Sequence, residues 1–66
     1  MRGRDYTVAV LDETIDRLIS ENRLTALQAY TLRLFVSEAR STNDPKNYHW
    51  RCEMVGRACD VVEMSK

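Results

Sequence analysis

The sequence predicts an all-α fold, a compact three-helix domain spanning residues 1–66. Three observations carry that expectation. Apolar residues recur at helical spacing in three stretches; Thr25 with Gln28 and Asp44 with Pro45 mark two helix starts; and the polar segments near 22–24 and 41–45 have the length of turns between packed neighbours.

The first helix is expected over about residues 12–22. Val8, Leu11, Ile15, Leu18 and Ile19 fit one helical face, and Asp12, Glu13 and Asp16 lie where acidic side chains favour a helix N-terminus. Residues 6–11 stay open between a short N-terminal strand and a helix, because Tyr6-Thr7-Val8-Ala9-Val10-Leu11 is β-branched yet continues the helical spacing. A strand here would require a strand from another subunit, since the chain shows no second one.

The second helix is expected over about 25–40. Thr25 and Gln28 read as a capping box, with Leu24 placed to pack on Ala29 as a hydrophobic staple. Its apolar residues, including Leu27, Leu32, Leu34, Phe35 and Val36, spread around most of the wheel, which predicts the central and most buried helix. Arg33, Ser37 and Arg40 form its water-facing stripe.

The third helix is expected over about 45–64, with Asp44 as N-cap and Pro45 at the first helical position. Gly56 inside it should cost about 1 kcal/mol relative to alanine, and marks a close helix contact in preference to a break. The expected core is Leu11, Ile15, Leu18, Ile19, Leu27, Leu32, Phe35, Val36, Val55, Cys59 and Val62.

Composition narrows the function classes. Ten basic and ten acidic residues cancel, so no global field draws the chain to nucleic acid or to an anionic membrane. The apolar run 8–11 is too short for a signal peptide or a span, and a cytoplasmic protein is expected. Cys52 and Cys59 stand seven residues apart on one helix, about 10 Å along its axis, beyond disulfide reach. They read as buried thiols in a reducing compartment.

No cofactor and no metal is expected. His49 and Cys52 offer two ligands on one helical side where a structural zinc site takes four. A nucleophilic cysteine with His49 as base would need an exposed thiol, and both cysteines fall on the core stripe. Glu53, Asp60 and Glu63 beside His49 read as a solvated face, and Gly3 and Gly56 form no phosphate loop. The chain is therefore not expected to be an enzyme.

The third helix carries two apolar stripes. Tyr48, Cys52, Val55, Ala58, Cys59 and Val62 fall on one side, with Trp50, Met54 and Val61 nearly opposite. The second stripe, with Arg57 between its members and Glu53 at its margin, has the make-up of an interface core with a charged rim. Trp50, Met54, Arg57, Val61 and Glu53 are thus the expected partner-binding residues, the competing reading being that Trp50 folds back over the N-terminal segment as internal core.

The function expected from this is a small non-catalytic protein-protein interaction module, a modulator or inhibitor of a larger protein, as phage-encoded regulators often are. Its partner is another protein of unknown identity. Two alternatives remain. A strand at 6–11 followed by two helices resembles the element order of ribbon-helix-helix repressors, dimeric proteins that would bind nucleic acid here through Arg2, Arg4 and Arg33. Against it, the outward residues of such a strand, Asp5, Thr7 and Ala9, read base edges poorly. The second alternative is a structural homo-oligomer, a homodimer contacting its copy through the same stripe.

Overall fold

The computed structural model describes residues 6–65 and contains three helices, α1 (Val8–Ser20), α2 (Ala26–Ser41) and α3 (Pro45–Met64). Of residues 6–11, Val8 to Leu11 are helical, and Tyr6 and Thr7 precede the helix. Thr7 is extended and caps α1, its hydroxyl accepting from Val10 N at 3.4 Å. Tyr48 of α3 supplies a hydroxyl acceptor 3.4 Å from Val8 N, another amide of the first turn. The helix therefore begins about one turn before Asp12, and the strand needed for a ribbon-helix-helix arrangement does not form among the described residues.

Both turns are fixed by local chemistry. After α1, Asn22 adopts φ of 60°, Arg23 N donates to Leu18 O at 2.8 Å and Asn22 N to Ile19 O at 2.9 Å. This is a Schellman closure with asparagine in the left-handed position. Thr25 then caps α2 through the expected box, its hydroxyl accepting from Gln28 N at 3.1 Å while Gln28 Oε1 accepts from Thr25 N at 3.0 Å. Asp44 caps α3 by accepting from Lys46 N at 3.0 Å, with Pro45 in the first turn.

The core differs from the expected one in a systematic way. Leu11, Ile15 and Leu18 of α1 are fully buried, and α1 is the helix with the large side chains inside. α2 lies against both other helices but buries only Ala29, Val36 and Ala39, so it is not the most buried helix. Leu27 is 74% exposed and Ile19 38%, which removes both from the expected core. Leu32, Phe35 and Val62 are only partly buried, whereas Leu24, Ala29, Ala39 and Cys52 join the core. The residues that α2 and α3 bury are mostly small, which lets the helices pack closely around the large α1 side chains.

Gly56 does mark a close contact, made by the N-terminal segment and not by another helix. The Tyr6 ring lies directly over it, and a Cβ at position 56 would overlap that ring. The Tyr6 hydroxyl donates to Asp60 Oδ2 at 2.7 Å, one turn further along α3. Gly56→Ala should therefore destabilise the wild-type chain by displacing the ring, yet stabilise a Tyr6→Ala background by about 1 kcal/mol through helix propensity. Urea denaturation of the four variants checks this. Equal effects of Gly56→Ala in the two backgrounds would show that the ring is not seated there.

Candidate functional site

With α1 on one side of the α2–α3 pair, the opposite side stays open. On it α3 presents Trp50 at 50% exposure, Met54 at 47% and Val61 at 63%, all within one outward arc. α2 adds Leu27, with Tyr30 and Leu34 further round its outer face. Single exposed apolar residues are ordinary, but these recur at helical spacing on two neighbouring helices.

Trp50, Glu53, Met54 and Arg57 line one shallow depression of about 190 Å³. Val61 lies further along the helix, beside a second depression with Arg23, Gln28 and Val62. Between α2 and α3 runs an apolar groove in two parts. One crevice, of about 350 Å³, lies between Leu24, Leu27 and Leu32 on one side and Ala58 and Val62 on the other. The next, of about 180 Å³, continues past Leu32 and Ala58 to Phe35, Met54 and Val55.

Among the described residues, Trp50 is placed against α2 and is half exposed. Its ring packs on Phe35 of α2 at a centroid separation of 6.2 Å, tilted by 38°. The Arg51 guanidinium lies 5.3 Å from the Trp50 ring and 5.5 Å from that of Phe35. Arg51 also pairs with Glu38 at 2.6 Å and donates from Nε to Asn47 Oδ1 at 3.1 Å. One half of the indole thus belongs to the α2–α3 seam and the other half faces outward. Arg51 is the residue that the sequence reading missed. Its spacing places it beside the apolar stripe, and a Glu38 partner on another helix has no local sequence signal.

The arginines among the described residues are paired with carboxylates within the fold. Arg57 bonds Glu53 at 2.6 Å, and His49 Nε2 lies 3.5 Å from the same carboxylate. Arg40 meets Asp12 at 2.6 Å, Arg33 pairs with Asp16, Arg17 with Glu63 and Glu21, and Arg23 with Glu21 at 3.8 Å. Arg33 is accordingly neutralised by α1; Arg2 and Arg4 lie outside the described residues. Cys52 and Cys59 are free and buried, and burial pushes both thiols above their ordinary pKa. Hydrogen bonding to Asp60, then burial, raises the Tyr6 hydroxyl likewise.

Among the described residues no group of three or more His, Cys, Asp or Glu side chains could hold a metal ion. No helix among them is long and apolar enough to cross a membrane. Comparisons with protein-family models, curated proteins and solved structures give no match to this chain.

Two outcomes follow from this geometry. Arg51→Met keeps the apolar stem but removes the ion pair and both ring contacts, so it should cost about 1–2 kcal/mol and red-shift the emission of the single tryptophan. Unchanged emission would mean that Arg51 does not hold the ring. The second concerns the thiols. Because burial raises their pKa in the folded state, the unfolded chain releases these protons first. The stabilisation they give is complete below about pH 8.5 and declines as pH climbs through the folded values. Denaturation across alkaline pH should show this decline weakened in Cys52→Ala/Cys59→Ala; an identical slope would exclude the thiols as its source.

Proposed function

We propose that the chain is a small, non-catalytic protein-protein interaction module that modulates or inhibits a larger protein by docking through the open α2–α3 face. The carrying observation is the run of half-exposed large apolar side chains on α3, Trp50, Met54 and Val61, rimmed by the Glu53–Arg57 pair. Such a surface has the composition of an interface centre, and tryptophan and arginine are the residues that most often dominate binding energy. The adjoining apolar groove adds depth to what would otherwise be one helix face.

The non-catalytic reading is supported by the engagement of arginines with carboxylates in structural pairs and by the burial of both thiols. Free thiols within the core fit a reducing compartment such as the cytoplasm.

Binding is tested with substitutions on the exposed face that spare the seam. Trp50→Ala should by itself cost about 2 kcal/mol of folding stability, because half of the ring is packed. Met54→Ala/Val61→Ala is the cleaner probe, since it leaves the Trp50 ring on Phe35 and Arg51 in place. In affinity capture from the cells that express the chain, this double variant should remain helical by circular dichroism and lose the captured protein. Retention of the same protein by the folded double variant would rule the face out.

A further inference from the structure

We infer that in the free protein the α2–α3 face is covered by a second copy of the chain, the two helix pairs packing face to face about a two-fold axis. This rests on the reading above that the open face is the binding surface, and it names the occupant of that surface when no other partner is present.

The groove selects a helix. Two of its polar groups are already engaged by α2 and its cap: Thr31 Oγ1 donates to Leu27 O at 3.1 Å, and Gln28 Oε1 accepts from Thr25 N at 3.0 Å. An extended segment laid there would bury its own N–H and C=O groups without partners, whereas a helix satisfies its backbone internally. The two crevices share Thr31, Leu32 and Ala58, so they follow one another along the groove at about one helical turn. That is the separation of side chains at i and i+4 on a docked helix.

The chain itself presents such helices. Trp50, Met54, Arg57, Val61 and Met64 are spaced 4, 3, 4 and 3 residues apart, the period of a helix-pairing seam, and Leu27, Tyr30 and Leu34 repeat it on α2. The groove is lined by the small side chains of Ala58 and Thr31 where its two crevices meet, while Leu27 and Met54 are the large, exposed side chains along it. Knobs and hollows on one patch are what an isologous two-fold contact requires.

Area and charge agree with this occupant. α3 has twenty residues, about 30 Å, and a pair of helices is about 20 Å wide, so the face covers roughly 600 Å² per copy. That reaches the lower range of stable specific interfaces. The rim consists of opposite charges already paired, Glu53 with Arg57 and Glu38 with Arg51, on a chain of zero net charge. An inverted copy presents the same alternation and meets no excess of like charge, whereas a rim of one sign would be opposed at one member of each pair.

Sedimentation equilibrium of the full chain across the micromolar range tests the inference, with Leu27→Glu, Met54→Glu and the α1 substitution Glu13→Gln alongside. The wild type and Glu13→Gln should show twice the 7.7 kDa chain mass. Leu27→Glu and Met54→Glu, both at exposed positions, should keep their helicity and weaken the dimer about a hundredfold or more, since each would bury a carboxylate without a partner. A folded wild-type monomer throughout the range would overturn the second copy as occupant and leave the face to a different protein. A dimer indifferent to both glutamate substitutions would overturn the second copy and the α2–α3 binding face together.

Discussion

Leu11, Ile15 and Leu18 are each fully withdrawn from solvent, and no other helix buries a comparable set of large side chains, so α2 and α3 are arranged by the need to cover this one ridge. Burial of each such side chain contributes about 1.5–3 kcal/mol before the entropy of ordering is subtracted. What α2 and α3 bury is small or slender: Ala29 and Ala39 from α2, and Cys52 and Cys59 from α3, with only Val36 and Val55 larger, while Gly56 lies under the Tyr6 ring. A wide ridge against narrow facing residues lets all three helices approach closely with few voids. The same division of sizes moves the large side chains of α2 and α3 outward. Leu27, Tyr30, Trp50 and Met54 are exposed because the inside of their helices is occupied by α1.

Charges fix the arrangement around that core. Asp12–Arg40 and Asp16–Arg33 join α1 to α2, Arg17–Glu63 joins α1 to α3, and Glu38–Arg51 joins α2 to α3. Each pair of helices thus carries at least one ion pair at its edge. Exposed pairs add little stability individually. Their value is in registry, since sliding a helix by one turn would set Asp12 or Asp16 away from its arginine. Two tyrosines perform the same service for the start of α1: Tyr48 accepts from its first amide and Tyr6 reaches Asp60 across Gly56.

The helix starts at Thr25 and Asp44 were legible because capping is local chemistry, complete within four residues of sequence. The beginning of α1 was left open, because the β-branched content of residues 7–10 masks the local Thr7 cap and the amide of Val8 meets the Tyr48 hydroxyl, forty residues away. Counting apolar residues around a wheel misjudged α2, because a wheel records hydrophobicity and not size. On α2 the alanines at 29 and 39 pack inward with Val36, while Leu27 and Leu34 stay exposed. For the candidate site, the outward placement of Trp50, Met54 and Val61 was readable from periodicity. The groove beside them was not, since it exists only once α2 lies against α3.

The outward residues are not demanded by the fold. Leu27, Tyr30 and Leu34 lie on the solvent side of α2, where lysine, glutamate or glutamine would hold the helix equally well and cost no core contact. The same holds for Met54 and Val61 on α3, whose inward neighbours Val55 and Cys59 already seal the core. Trp50 is the intermediate case: the Phe35 and Arg51 contacts hold its ring in one orientation while half of it faces solvent. A side chain fixed in this way loses less conformational freedom when a partner covers it, which lowers the cost of binding. The packing that makes Trp50 partly structural is therefore also what prepares it as an anchor, and the two roles reinforce one another on the same ring.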